Sequence, residues 1–112
     1  MVLEIPNHPS YYISDSGKVY KALSNGRGLK ELQANMSNGH ARVSIDGENY
    51  YLARLVLETF DPPYDRGLKT FHIDGDYSNN DLMNLVWLTP SEVQLYSSYS
   101  LEYRKQSLGA RE

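Results

Sequence analysis

The residues best suited to chemistry lie in one stretch, from Thr70 to Trp87. It contains a single histidine, His72, then an Asp-Gly pair at 74–75, two adjacent asparagines at 79–80, and Asn84. A neutral imidazole titrates near physiological pH and can take a proton from water. Asparagine side chains hydrogen-bond neighbouring backbone groups and can hold a polar loop in one shape. The stretch therefore predicts an ordered polar loop next to a single histidine.

The spacing of His72, Asn79, Asn80 and Asn84 resembles the HNH endonuclease motif of the homing-endonuclease type. That motif typically runs Asn/Asp-His-Ile-Asp-Gly-Asn, then Asn-Asn, then Asn-Leu-x-Trp, and the chain follows it without a gap. The resemblance implies a ββα-metal finger in which His72 is the general base that activates water. It also implies that Asn84 braces the loop and that a divalent metal offsets charge on the scissile phosphate.

Two positions at which the family places metal ligands carry apolar residues here. The residue before the histidine is usually Asp or Asn and is Phe71 in this chain. The position on the following helix, an asparagine in similar sequences, is Val93. Neither side chain offers an oxygen to a hard cation. We therefore expect no protein metal site, with Asp74 as the only weak candidate ligand, and Mg²⁺ or Mn²⁺ as a cofactor only if the chain is active.

A second resemblance lies upstream, in residues 3–21. Tyr11–Ser14 and Lys18–Lys21 favour β-strands on either side of a tight turn at 15–17. The pattern Ile-Pro, then Tyr-x-x-Ser-x-x-Gly-x-Val, is similar to the small module that often precedes HNH in homing endonucleases. The two motifs occur in the expected order and together span residues 3–95.

The remaining pattern predicts an α+β fold: a small antiparallel β-sheet module, an HNH-like ββα finger and a C-terminal helix. Leu29–Ala34, His40–Ile45 and Tyr50–Leu52 favour strands, which gives four or five strands in one small sheet. The finger takes its two β segments from Thr70–Ile73 and from about Val86–Leu88.

Two helices complete the prediction. Residues 52–60 favour a short amphipathic helix that ends at Asp-Pro-Pro. Thr89-Pro90-Ser91-Glu92 forms a capping box that begins a second helix, which runs to about Gln106. The chain is predicted to be a single domain, with a β module at 3–52, a helix plus finger at 53–106 and a tail at 107–112.

Charge is distributed unevenly along the 112 residues, whose net charge is −3. Residues 17–54 hold six basic and three acidic side chains, and residues 55–92 hold two basic and seven acidic ones. A nucleic-acid binder usually carries a basic face. One interpretation is that the first half grips a nucleic-acid backbone through Lys18, Lys21, Arg42 and Arg54. The other is that these are solvating charges.

Composition excludes several functional classes. The chain has no cysteine, which excludes disulfides, a cysteine-based zinc site and a thiol nucleophile. It has no apolar run long enough to cross a bilayer and no charged-then-apolar leader. We therefore expect a protein of the cytoplasm, or of the host cytoplasm if it is encoded by a phage.

Three functional hypotheses remain from the sequence. The first is a catalytically degenerate HNH-like protein, similar to phage accessory proteins, that binds or inhibits a host protein or nucleoprotein. The acidic finger half, the ten tyrosines and the apolar residues Phe71 and Val93 motivate it. The second is an active nicking endonuclease with an altered metal site and His72 and Asn84 in catalytic roles. The third is a DNA-binding protein that does not cleave. The oligomeric state is left open.

Overall fold

The computed structural model describes residues 1–109, and its first half is two antiparallel sheets. The first sheet has the order β1-β2-β3-β4, formed by Val2–Glu4, Tyr11–Ser14, Val19–Ala22 and Leu29–Leu32. The second has the order β5-β6-β7, formed by Asn35–Ser37, His40–Ile45 and Glu48–Tyr51. Antiparallel neighbours joined by short turns need no crossover helix, and within each sheet every strand pairs with the next along the chain.

The second half consists of helices around a two-stranded hairpin. Helix α1 spans Leu52–Phe60, and the hairpin pairs β8 (Lys69–His72) with β9 (Leu85–Leu88). A 3₁₀ turn at Leu82–Asn84 leads into β9, and the chain continues into α2 (Pro90–Ser97) and α3 (Leu101–Leu108). Within residues 1–109, no helix combines the length and apolar character needed to span a membrane.

The predicted α+β architecture is confirmed, but the predicted single sheet of four or five strands is divided in two. Residues 33–34 separate β4 from β5, and the second sheet is a meander with two tight turns of its own. Asn38 and Asp46 have positive φ (53° in each), and each precedes a glycine that also has positive φ. Such pairs of left-handed residues match the twist of a two-residue hairpin. The strands β1 and β5 are additional to the prediction.

Helix α1 is the element on which the core is built. Its apolar face buries Leu52, Leu55, Val56 and Leu57, and it contacts strands of both sheets and both strands of the hairpin. The core continues through side chains supplied by the sheets and by β9, among them Ile13, Val19, Val43, Ile45 and Leu85. Because α1 touches both modules, the hairpin is fixed against the sheets.

The predicted C-terminal helix is interrupted, so the prediction of one continuous helix to Gln106 is wrong. The capping box forms: Glu92 N donates to Thr89 Oγ1 and Thr89 N donates to Glu92 Oε1. Helix α2 nevertheless ends at Ser97, and Ser100 Oγ accepts from Tyr103 N to begin α3. Serine hydroxyls compete for helix backbone groups, and serines stand at positions 97, 98 and 100.

This break also corrects two smaller predictions. The spacing of Val93, Tyr96, Ser100 and Tyr103 predicts that they lie along one face of a single helix, but Ser100 lies between α2 and α3. The predicted tail from residue 107 begins inside α3, which continues to Leu108. The rest of that predicted tail, residues 110–112, lies outside the described residues.

Candidate active site of the finger

Asn84 ties together the two ends of the loop between β8 and β9. Its Oδ1 accepts from Asp74 N at 3.0 Å, while its Nδ2 donates to Asp74 Oδ1 and to the Asn79 carbonyl, each at 2.9 Å. The side chain is 8% exposed. Buried amides that satisfy their donors and acceptor in this way specify one arrangement of the surrounding backbone. Asn84 is therefore a structural tie of the loop.

The carboxylates of the loop are used by the loop itself. Burial raises the pKa of Asp74, but hydrogen bonds from Asn79, the Asp76 backbone and Asn84 outweigh it, so that the pKa lies below its usual value. Ser78 donates to Asp76 Oδ1 through both its hydroxyl and its backbone N–H, which lowers the pKa of Asp76. Both carboxylates are ionised at neutral pH and accept hydrogen bonds from within the loop.

His72 ends β8 and is buried, with 6% of its surface exposed. Its Nε2 lies 2.8 Å from Asn80 Oδ1, and Asn80 Nδ2 donates to the Tyr77 carbonyl at 3.3 Å. That second bond orients the amide so that its oxygen faces the ring, which assigns the proton of a neutral imidazole to Nε2 and the lone pair to Nδ1. Burial lowers the pKa of His72, opposed by the Asn80 hydrogen bond. At pH 7 the ring is a neutral base.

A cavity of about 310 Å³ lies beside His72. Its walls come from β8, the loop, β6, α2 and α3, and they include Phe71, His72, Val93, Thr70, Gly75, Tyr77, His40, Ser97 and Arg104. Phe71 and Val93 thus lie on the same cavity as the imidazole although they belong to different elements. No Asp or Glu side chain lines this cavity, since Asp74 lines a separate one with Asn79 and Asn84.

Comparison with known proteins identifies the finger. A model of the HNH endonuclease family matches residues 50–95, which run from the end of β7 into α2. Residues 50–95 are therefore similar to the HNH endonuclease family. A solved structure described as "DNA binding and cleavage by the HNH homing endonuclease I-HmuI" is similar over 100% of this chain, with 25% identity and a TM-score of 0.71. The chain spans 61% of the length of that structure's chain. No curated protein matches the sequence.

An HNH finger implies a divalent metal, but the residues at this cavity do not fit one. A hard cation such as Mg²⁺ takes oxygen ligands, usually from carboxylates. The two positions expected to supply them are an aromatic and an aliphatic side chain, and Asp74 is engaged by three donors elsewhere in the loop. Within residues 1–109, no group of three or more His, Cys, Asp or Glu is placed to hold a metal ion.

His40 and Arg104 line this cavity but are missing from the sequence-based site. His40, predicted only as the first residue of a strand, stacks on the Tyr77 ring with centroids 4.3 Å apart, and its ring centroid is 6.5 Å from that of His72. Arg104 reaches back from α3 and donates from Nε to the Ile73 carbonyl at 2.8 Å. No motif singles out Arg104, because its place depends on the turn between α2 and α3.

The four candidate DNA-binding residues lie on different elements of the fold. Lys18 and Lys21 are exposed at the β3 side of the first sheet, whereas Arg42 is on β6 of the second and Arg54 is on α1. They are therefore distributed over both sheets and α1.

Three of these residues are engaged by neighbouring side chains. Lys21 Nζ lies 5.5 Å from the centroid of the Tyr11 ring. Arg42 donates to the Tyr51 hydroxyl at 3.0 Å and lies over its ring. Arg54 forms an ion pair with Glu58 at 3.4 Å and lies over the Trp87 ring.

Proposed function

We propose that this chain is a catalytically degenerate HNH-like protein that binds its target without metal-dependent cleavage. The observation that carries the proposal is that Phe71 and Val93 line the His72 cavity and leave it without an oxygen ligand from either expected position. The loop, the base and the fold of an HNH finger are all present. What is missing is the group that would hold the metal on a phosphate.

Restoring the missing ligands gives the sharpest test. We expect the wild type to leave supercoiled plasmid uncut in Mg²⁺ or Mn²⁺, and the double variant F71D/V93N to bind Mn²⁺ and to nick. Adding H72A to that double variant should abolish the nicking, which separates a restored finger from a contaminating nuclease. Nicking by the wild type that disappears in H72A would reject the proposal.

The target that we propose is DNA, bound without cleavage through Lys18, Lys21, Arg42 and Arg54. I-HmuI is described as binding and cleaving DNA, and three of the four side chains are exposed. We expect duplex affinity to fall with salt and with R42A. Arg66, exposed in the loop after α1, offers the matched control R66A. Equal effects of the two substitutions, or no gel shift at low salt, would contradict a DNA-binding role.

A nicking endonuclease with an altered metal site is the second candidate. It is favoured by His72, which is neutral and presents a lone pair at Nδ1 as a general base requires. This candidate predicts that Mg²⁺ or Mn²⁺ binds near His72. A calorimetric titration of the wild type with Mn²⁺ that shows no heat would count against it.

The other target that we propose for a non-cleaving HNH-like protein is a host protein or nucleoprotein. In this case the chain would be an accessory protein that is encoded by a phage and acts in the host cytoplasm. The specific observation is an apolar surface on α2 and α3, where Leu95, Leu101 and Tyr103 are 51%, 42% and 48% exposed. Pull-down from host lysate, with and without nuclease treatment, tests it. Capture of the same protein in both samples, and its loss with L95D, would support a protein target.

A further inference from the structure

We propose that Arg104 makes the cavity beside His72 a binding site for a backbone phosphate of nucleic acid, without a metal ion. This inference deepens the proposed function and rests on it, since a divalent ion in the same cavity would repel the guanidinium. It assigns a cationic group to a finger whose two expected metal-ligand positions are apolar.

The guanidinium of Arg104 is held in place but keeps unused donors. Nε donates to the Ile73 carbonyl at 2.8 Å and Nη1 to the Tyr99 carbonyl at 3.1 Å, so two separate segments fix its plane. Nη2 makes no hydrogen bond within residues 1–109, and it lies beside Gly75, which has no side chain to cover it. A guanidinium has more N–H donors than the two used here.

The charge of Arg104 has no partner carboxylate within the described part of the chain. None of the ion pairs there includes it, although the residue is half-buried. Placing a charge in a partly buried site is costly unless a counter-charge is supplied. The two carbonyls satisfy hydrogen bonds but carry no net charge. An anion entering the cavity would supply the missing charge.

The rest of the cavity is suited to phosphate. Its polar lining includes His40, Thr70 and Tyr77, which can donate hydrogen bonds, and it contains no Asp or Glu. The Ser97 hydroxyl, which also lines it, donates to the Val93 carbonyl at 2.6 Å. The negative charges of Asp74 and Asp76 oppose an anion, but loop donors already contact both carboxylates. Arginine binds phosphate through paired N–H groups of fixed geometry. The volume of about 310 Å³ leaves room for one phosphate group.

The first experiment measures binding of a fluorescein-labelled DNA duplex by anisotropy in excess EDTA, over a range of salt concentrations. The variant is R104Q, and the control is K105Q, which removes the same charge from the next residue of α3 outside this cavity. We expect R104Q to weaken binding roughly tenfold and to reduce the salt slope by about one, with a clearly smaller effect of K105Q. Equal losses in the two variants would overturn the proposal.

The second experiment uses the wild type, so that it does not depend on how R104Q folds. Inorganic phosphate is titrated into ¹⁵N-labelled protein in EDTA, and we expect the largest shifts at Gly75, Ser97 and the Arg104 Nε–H. Shifts confined to other residues would overturn the site. Phosphate shifts in the cavity without any Arg104-dependent duplex binding would overturn the assignment to nucleic acid.

The two proposals fail in different ways. Metal-dependent nicking by the wild type rejects the proposed function, whatever Arg104 does in EDTA. DNA binding without nicking, and unchanged in R104Q, leaves the proposed function standing and overturns this inference.

Discussion

Removing the Asn84 side chain should destabilise the whole protein, because one amide makes three hydrogen bonds inside the loop. N84A removes the bonds to Asp74 N, to Asp74 Oδ1 and to the Asn79 carbonyl. A neutral bond contributes about 1 kcal/mol and one to a charged group about 1.5–3 kcal/mol. Since the Asp74 carboxylate is partly exposed and can rehydrate, we expect a loss of about 3 kcal/mol in the free energy of unfolding.

Urea denaturation followed by the fluorescence of Trp87, the single tryptophan, measures this loss. Of a total stability of roughly 5–15 kcal/mol, such a loss is large and corresponds to a melting temperature lower by about 10 °C. The control is N49A, at an exposed strand position whose side chain makes no hydrogen bond in the described structure, and we expect it to change stability by less than about 0.5 kcal/mol. If N84A proves as stable as N49A, the tie assigned to Asn84 is wrong.

The variant N84D tests the same contacts separately. It keeps an oxygen that can accept from Asp74 N, but it replaces the Nδ2 donor with a second oxygen. At neutral pH the introduced carboxylate would stand next to Asp74 Oδ1, so N84D should be less stable than N84A. Repulsion raises the pKa of the introduced group, and its destabilising effect should therefore shrink as the pH falls and the pair takes up a proton. A constant gap between N84D and N84A from pH 7 to pH 4 would contradict this.

Three further predictions follow from single contacts. Burial lowers the pKa of His72. As the pH falls below 6.5, the unfolded chain therefore binds a proton more readily than the folded protein, and stability falls. The free energies of unfolding at about pH 7.5 and about pH 5.5 should differ less in H72Q than in the wild type. W87F loses the bond from the indole Nε1–H to the Asp61 carbonyl and should cost about 1–2 kcal/mol, measured by thermal melting. T89A removes the cap of α2 and should cost about 1 kcal/mol, whereas S91A, as its control, should change the melting temperature little.

Local patterns predicted the parts of the fold that depend on short-range chemistry. The hairpin strands, α1 with its Asp-Pro-Pro end, and the capping box at Thr89 all follow from residues within a few positions of one another. The division into two sheets does not follow from the sequence pattern, because the alternation of apolar and polar residues along a strand does not specify which strand it pairs with at the β4–β5 boundary. The break at Ser98–Ser100 does not follow from the helical periodicity, because it depends on serine hydroxyls that compete for helix backbone groups.

The candidate site shows the same division between local and distant information. His72 and its spacing to Asn80 and Asn84 could be read from the sequence, since all of them belong to one loop. The place of Arg104 could not, because it needs α3 to turn back over Ile73. His40 reaches the cavity from β6, and only the packing of the second sheet against the finger brings it near His72.

The loop of the finger is held by hydrogen bonds among its own residues. The loop is held by Asn84, Asn79 and Asn80, whose amides bind the Asp74 carboxylate, the backbone and the His72 ring. Phe71 and Val93 take no part in that network, and both line the cavity. Apolar residues there cost the loop no hydrogen bond, and they place apolar surface against the neighbouring elements. Substitution of Phe71 or Val93 should therefore leave the fold of the loop intact, whereas substitution of any of the three asparagines should disturb it.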